Sequence, residues 1–298
     1  MINNTDLTAK EKKIWEQWMK TLHRLEETTK PVAKGESASA KKKRINMLLK
    51  PKNFEKFLHY YFATDDFKPA PLAWFHLEAI DNVFVKKLRK HLWEWHRESA
   101  KSVLAEIFIV IHMLVSGKLD GLILGGKTQS KAKNLLKDVE KQLRANKRLA
   151  ADFGDFGIIG SWLQGYFYTN KGIGFWAFGL GQDPAGSREG FKRPNVGIID
   201  DVDSYSKAEK NQPAIKEQVK WIKGEFMGCL STKDNTFIYT NNRVHPKGIT
   251  AHMAGDIEED DEKDESFAHI KVYLTEDPKT HEAIYPEGKT EKAMVASL

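Results

Sequence analysis

From Pro69 onward the chain alternates short apolar runs with longer amphipathic stretches, and this alternation restricts the fold more than any other feature of the sequence. The apolar runs predict strands at 92–96, 121–124, 196–199 and 236–240. The intervening stretches predict helices at 71–88, 100–116, 131–149 and 213–226, and shorter runs at 156–162, 166–169 and 175–178 predict hairpin strands. Such alternation is typical of an α/β fold with a mostly parallel central sheet and helices on both faces.

The first 66 residues predict a helical subdomain. Thr8 and Glu11 have the spacing of a capping box, and Trp18, Leu22 and Leu25 follow at helical spacing. Residues 67–255 make up the predicted α/β core. Residues 256–298 begin with a strongly acidic tract, which predicts a loop and linker.

Composition excludes several classes of protein. Cys229 is the sole cysteine of the 298 residues, which excludes a disulfide framework and a cysteine-based zinc site. No apolar run reaches the length of about 18 residues that spans a bilayer, and residues 1–6 lack the character of a signal peptide. We therefore expect a soluble cytoplasmic protein with no membrane partner.

Charge is distributed unevenly along the chain. The first 150 residues carry 30 Lys/Arg against 17 Asp/Glu, whereas the remainder carries 17 against 24. A basic half is compatible with a polyanionic partner, although solvated helix faces explain the same excess.

Residues 96–102, His-Arg-Glu-Ser-Ala-Lys-Ser, connect the first predicted strand of the core to a long apolar helix. A polar turn between a strand and a helix N-terminus binds phosphate, because free N–H groups and the helix dipole face the anion. In the usual phosphate-binding loop the lysine reaches the terminal phosphates and the Ser/Thr hydroxyl contacts Mg²⁺. Lys101 and Ser102 fit these roles, whereas Trp95 and Ala100 replace the two glycines.

Residues 196–203 predict a buried strand that ends in adjacent carboxylates. The carboxyl ends of parallel strands are where open α/β sheets bind their ligands. A nucleotide site needs one carboxylate near Mg²⁺ and a second that orients the attacking water, and Asp200 and Asp201 can supply both. Asp203 remains a second candidate for the water-orienting acid, and it is also placed to cap a helix.

Together these motifs resemble the ATPase domain of the large terminase subunit of tailed phages, the DNA-packaging motor. The resemblance covers about residues 70–255 and follows the order of the motifs: the loop 96–102, the strand and polar loop 121–128, the glycine and arginine segments 179–190, the acidic strand after Pro194, and the segment 237–243. It implies a P-loop NTPase fold that hydrolyses ATP with Mg²⁺.

The resemblance also implies roles for individual residues. The phosphates would be bound by Arg97, Glu98, Ser99, Ala100, Lys101 and Ser102, with Thr240 and Asn241 sensing the terminal phosphate. Mg²⁺ would be held by Ser102 and Asp200. The catalytic residues would be Lys101, Asp201 and an arginine finger, Arg188. Residues 74–76, Trp-Phe-His, would lie under the adenine, with core packing as the alternative.

The implied function is translocation of double-stranded DNA into a procapsid in the cytoplasm of the host of a phage or prophage. The implied partners are DNA, the portal protein, the small terminase subunit and further copies of the chain in a ring. Large terminases usually continue into a nuclease domain, but this chain ends about 40 residues past the core, so we expect no nuclease activity. The alternatives are a helicase-like P-loop ATPase on another nucleic-acid track, and a nucleic-acid-binding scaffold whose nucleotide site is inactive.

Overall fold

The predicted strands form one sheet in the computed structural model of the protein, which describes residues 8–30, 35–185, 192–257 and 267–273. Within those ranges the sheet has eight strands: β1 Lys90–Trp95, β2 Gly121–Gly126, β3 Ile159–Ser161, β4 Tyr166–Tyr168, β5 Gly174–Gly179, β6 Val196–Asp200, β7 Thr236–Asn241 and β8 Phe267–Val272. Their spatial order is β3-β4-β5-β2-β6-β7-β1-β8.

The six strands that lie side by side from β5 to β8 in the sheet are all parallel to their neighbours. At the other edge, β3, β4 and β5 pair in antiparallel fashion, which confirms the predicted hairpins. Parallel neighbours need crossover connections, and helices supply most of them. The predicted mostly parallel sheet is therefore confirmed.

Helices cover both faces of this sheet. They are α4 Trp74–Phe84, α5 Lys101–Val103, α6 Val110–Val115, α7 Gln129–Ala145, α8 Lys147–Phe153, α9 Tyr205–Lys210, α10 Gln212–Lys220 and α11 Ile249–Ala254. The π-helical segment Leu104–Ile109 joins α5 to α6, and a second one, Trp221–Phe226, follows α10.

Helices pack on both faces of the central strands β2, β6 and β7. Since successive side chains of a strand point to opposite faces of the sheet, all side chains of these strands are buried. In β2, Leu122 and Leu124 belong to the cluster under α4 to α8, whereas Ile123 belongs to the cluster under α9 to α11. This explains why the predicted strands are continuous apolar runs.

Two predicted helices differ from the structure. The predicted helix 131–149 is two helices, because Asn146 ends α7 and caps α8, its side chain accepting hydrogen bonds from the N–H groups of Arg148 (3.1 Å) and Leu149 (3.2 Å). The predicted helix 71–88 is limited to α4, which begins at Trp74.

The N-terminal segment is helical as predicted, with α1 Ala9–Thr28, α2 Ala38–Leu48 and α3 Phe54–Phe62, the last preceded by a 3-10 turn at Pro51–Asn53. Thr8 and Glu11 form the predicted capping box. Trp18 packs edge-on against Trp162 of the core at 6.2 Å between ring centroids, so these helices share the apolar cluster of the sheet.

The sheet extends beyond the core boundary that we predicted at residue 255. Strand β8 pairs with β1 over its whole length, although its segment was expected to be part of a loop and linker. Most of the acidic tract lies outside the described residues. In the described part of the chain, no helix combines the length and apolar character needed to cross a bilayer.

Candidate functional site

The loop between β1 and α5 adopts a compact turn that is held by its own polar groups. The Ser99 side chain is fully buried, and its hydroxyl donates to the carbonyl of His96 at 2.8 Å. Glu98 and Ala100 have positive φ angles of 64° and 54°. This left-handed region is where glycine is usual, so the loop keeps a glycine-type conformation at Ala100 without the glycine.

His76 supports this loop from α4. Its Nε2 lies 2.8 Å from the carbonyl oxygen of Ser99, and its Nδ1 accepts from the N–H of Ala73 at 3.0 Å. Burial lowers the pKa of His76 to about 4, so the imidazole is neutral and Nε2–H donates. His76 and Phe75 are buried, and Trp74 of the same segment is exposed. Phe75 and His76 therefore pack in the core, which is the alternative that we gave to a position under the adenine.

Lys101, Ser102 and Asp200 meet at the carboxyl ends of β1 and β6. The Ser102 hydroxyl donates to Asp200 Oδ2 at 3.0 Å, and Lys101 Nζ donates to the His96 carbonyl at 3.2 Å. Asp200 is the last residue of β6 and pairs with Gly126 and Thr240 of the flanking strands. The fold thus brings together three residues that the sequence analysis assigned to one site.

Asp200 is almost fully enclosed. Burial raises its pKa to about 6, although the Lys101 ammonium and the Ser102 hydroxyl act in the opposite direction. Its Oδ1 is buried and has no hydrogen-bond partner among the described residues. A buried carboxylate oxygen without a donor, next to a hydroxyl, fits a hard divalent cation such as Mg²⁺.

The two remaining acids of the strand end differ in their surroundings. Asp201 is exposed, has a φ of 47°, and uses its backbone N–H to bind the Thr240 carbonyl at 3.1 Å. Asp203 is buried and accepts from the N–H of Ile249 (2.6 Å), the N–H of Thr250 (3.1 Å) and the Thr250 hydroxyl (2.5 Å). Asp203 therefore holds the start of α11, whereas the side chain of Asp201 is exposed.

Strand β7 ends beside this group. Thr240 and Asn241 are fully buried, and Thr240 Oγ1 and Asn241 Oδ1 have no hydrogen-bond partner in the described part of the protein. The amide nitrogen of Asn241 donates to the Thr250 hydroxyl at 3.0 Å, which links β7 to the same α11 turn that Asp203 holds. The end of β7 therefore holds two buried polar oxygens that lack a partner in the described part of the protein.

A cleft of about 600 Å³ opens next to the loop, at the carboxyl ends of β1, β7 and β8. Arg97 and Glu98, two of the predicted phosphate-binding residues, are exposed and line it. On its floor, Glu94 binds Arg243 at 2.7 Å. Arg188, the predicted arginine finger, lies outside the described residues.

Glu106 is a member of this cluster that the sequence analysis missed. It is buried in the π-helical segment, and its carboxyl group lies close enough to Asp200 to interact with it electrostatically. Burial and the neighbouring Asp200 raise its pKa well above the usual range. The available signal was a single acidic residue in the apolar run 103–115, four positions after Ser102.

No protein-family profile and no curated protein sequence matches this chain. Among solved structures, the chain is similar to the large terminase of bacteriophage HK97, with a TM-score of 0.50, 11% sequence identity, and coverage of 83% of this chain. Over the matched part, the chain has the fold of that large terminase. A second similar structure is the large terminase ATPase domain of Thermus phage P74-26, which is 13% identical, with a TM-score of 0.48 and coverage of 78% of this chain and 88% of that one.

The HK97 large terminase and this chain share their fold at low sequence identity. This chain covers 51% of the HK97 protein, about half its length. The similarity confirms the expected α/β fold, a mostly parallel sheet with helices on both faces.

Proposed function

We propose that the chain is an ATP-hydrolysing motor domain of a terminase-like large subunit, which moves double-stranded DNA into a procapsid. The observation that carries this proposal is the meeting of Lys101, Ser102 and Asp200 at the carboxyl ends of parallel strands, directly after a phosphate-type loop. The fold of the HK97 large terminase supports it.

In this proposal the loop 96–102 and Lys101 bind the phosphates of ATP. Ser102 and Asp200 hold Mg²⁺, which when bound offsets the charge of the phosphates. Asp201 orients the attacking water, an assignment supported by its exposure and by the engagement of Asp203 in α11. Thr240 detects the terminal phosphate by donating from its hydroxyl, which has no partner among the described residues. Asn241, the next residue of β7, holds this strand end to the α11 turn through Thr250.

The proposed partners are double-stranded DNA, a portal protein and a small terminase subunit. Arg188 is proposed as an arginine finger, which stabilises charge that develops in the transition state. If the finger acts in a neighbouring copy, ATP turnover requires a ring of these chains.

The surface that best fits DNA is the α2 basic surface, which we define as Lys42, Lys43 and Lys50. These exposed lysines line a shallow cleft of about 500 Å³, and no acidic residue is among its described lining residues. Arg44 of the same basic run points inward instead, binding Glu36 at 2.7 Å and Asp152 at 2.6 Å. Because Arg44 is neutralised within the fold, it anchors α2 and leaves the three lysines facing solvent.

The two alternatives make different predictions. A scaffold with an inactive site was suggested by the missing glycines, but Glu98 and Ala100 adopt the left-handed conformation that glycine usually provides. This supports a loop that still binds phosphate. A helicase-like enzyme would share the site and differ in its track.

The test is Mg²⁺-dependent ATP hydrolysis by the purified chain, measured with and without duplex DNA. Hydrolysis that duplex DNA stimulates is the expected result. Absence of hydrolysis under all conditions, with DNA binding intact, favours the scaffold. Strand unwinding without net movement along duplex DNA favours the helicase-like enzyme.

A further inference from the structure

Ser102, Glu106 and Asp200 place three oxygen-bearing side chains at one point below the phosphate loop. Residues four apart on a helix lie on the same face, so Ser102 and Glu106 both face β6. The Ser102 hydroxyl reaches Asp200 Oδ2 at 3.0 Å, and the carboxyl group of Glu106 is near enough to that of Asp200 for each to act on the other's pKa. The π-helical turn Leu104–Ile109 contains Glu106, and such wide turns occur frequently at functional sites.

This arrangement is unfavourable unless a cation or a proton occupies it. Glu106 is 3% exposed and Asp200 is 9% exposed, and two neighbouring buried carboxylates repel each other when both are ionised. Glu106 Oε1 and Asp200 Oδ1 are both buried without a donor in the described residues. Lys101 is the nearby cation that favours the ionised forms of both acids, and one ammonium group leaves the pair of carboxylates with a net negative charge.

The chemistry of these ligands selects a hard divalent cation. Mg²⁺ is held in proteins by one or two carboxylates and completes its shell with waters and phosphate oxygens. We propose that Glu106, Asp200 and Ser102 form a divalent-cation site that binds its ion before the nucleotide arrives. This inference rests on the proposed nucleotide site and adds Glu106 to it, so that the metal is already in place when the phosphates bind.

The test is Mn²⁺ binding to the nucleotide-free full chain, measured by the electron paramagnetic resonance signal of free Mn²⁺. We expect one Mn²⁺ to bind per chain in competition with Mg²⁺, and Glu106→Gln to weaken binding at least about tenfold. Asp200→Asn should act similarly. The matched control is Asp138→Asn, which removes another partly buried acid whose charge reaches Glu106 without contact with Asp200; it should change Mn²⁺ affinity less than about twofold.

A second readout is thermal unfolding without nucleotide. Mg²⁺ should raise the Tm of the wild-type chain, because an ion that binds the folded state stabilises it, and should leave the Tm of Glu106→Gln unchanged. Without metal, Glu106→Gln should be at least as stable as wild type, because one of two neighbouring buried carboxylates has been removed.

Two results would overturn the proposal. One is the absence of Mn²⁺ binding to the nucleotide-free chain although Mg²⁺ and ATP bind together, which leaves the proposed function intact. The other is equal Mn²⁺ affinity for wild type and Glu106→Gln, which assigns the carboxyl pair a shared proton instead of a metal. Failure to bind ATP by a folded chain that still binds Mn²⁺ would count against the proposed function alone.

Discussion

Replacement of Asp203 should cost stability, whereas replacement of Asp201 should cost turnover. Asp203 accepts three hydrogen bonds at the start of α11. A hydrogen bond to a charged group contributes about 1.5–3 kcal/mol, and such contributions are not additive within one cluster. We therefore expect Asp203→Ala to lower the free energy of unfolding by about 3–5 kcal/mol.

Asp203→Asn is the graded version of this change. Asparagine keeps one acceptor oxygen but loses the charge, and its amide NH₂ would face the N–H of either Ile249 or Thr250, so we expect a loss of about 1–3 kcal/mol. The asparagine side chain has no room to move toward Gly248. The Asp203 oxygens already lie so near this glycine that a Cβ added to it would be 3.0 Å from each of them. Urea unfolding at a fixed m-value measures the difference.

Asp201→Asn is the matched control on the same loop. Asp201 is exposed and has a positive φ, and asparagine tolerates that conformation as well as aspartate does. Its stability should stay within about 0.5 kcal/mol of wild type, its ATP binding should persist, and its turnover should stop. The reasoning is refuted if Asp203→Asn is as stable as wild type and binds ATP without turnover while Asp201→Asn remains active.

Three further predictions test the loop, the DNA surface and the ring. Ala100→Gly should raise the free energy of unfolding by about 1 kcal/mol in urea, because it removes a side chain from a left-handed residue; a loss of stability would contradict the strain. Replacing the α2 basic surface with alanines should lower the salt dependence of duplex DNA binding by up to about 2.7 in slope of log K against log salt, and alanines at the exposed lysines 207, 210 and 220 should not. Mixing Arg188→Ala with Lys101→Ala should partly restore hydrolysis if the finger acts between copies, whereas Arg188→Ala with full activity at any concentration would make it a surface residue.

Strands β2, β6 and β7 could be predicted from the sequence because their burial on both faces leaves continuous apolar runs. Strand β8 could not, because it lies at the sheet edge, where His269 and Lys271 alternate with buried Ile270 and Val272. A short alternating pattern that follows an acidic tract is a weak signal, and the pairing with β1 that stabilises the strand comes from a segment far away in the chain.

In the candidate site, too, residues within one short motif could be predicted from the sequence, whereas contacts between distant segments could not. Lys101 and Ser102 are recognisable because the proposed phosphate-binding loop is a local motif. Glu106 is not, because helical periodicity identifies its face but not that Asp200 of β6 lies opposite. The choice between Asp201 and Asp203 also depends on a distant element, since only the position of α11 shows which carboxylate is engaged.

The central claim is that this chain hydrolyses ATP at the site of Lys101. The most direct measurement compares steady-state Mg²⁺-ATP hydrolysis by wild type and Lys101→Ala, with folding of both checked by circular dichroism. We predict measurable turnover by wild type and a loss of about a hundredfold or more in the variant, because a positioned charge on the phosphates is removed. Equal turnover by a folded Lys101→Ala chain would contradict the site, and with it the proposed motor function.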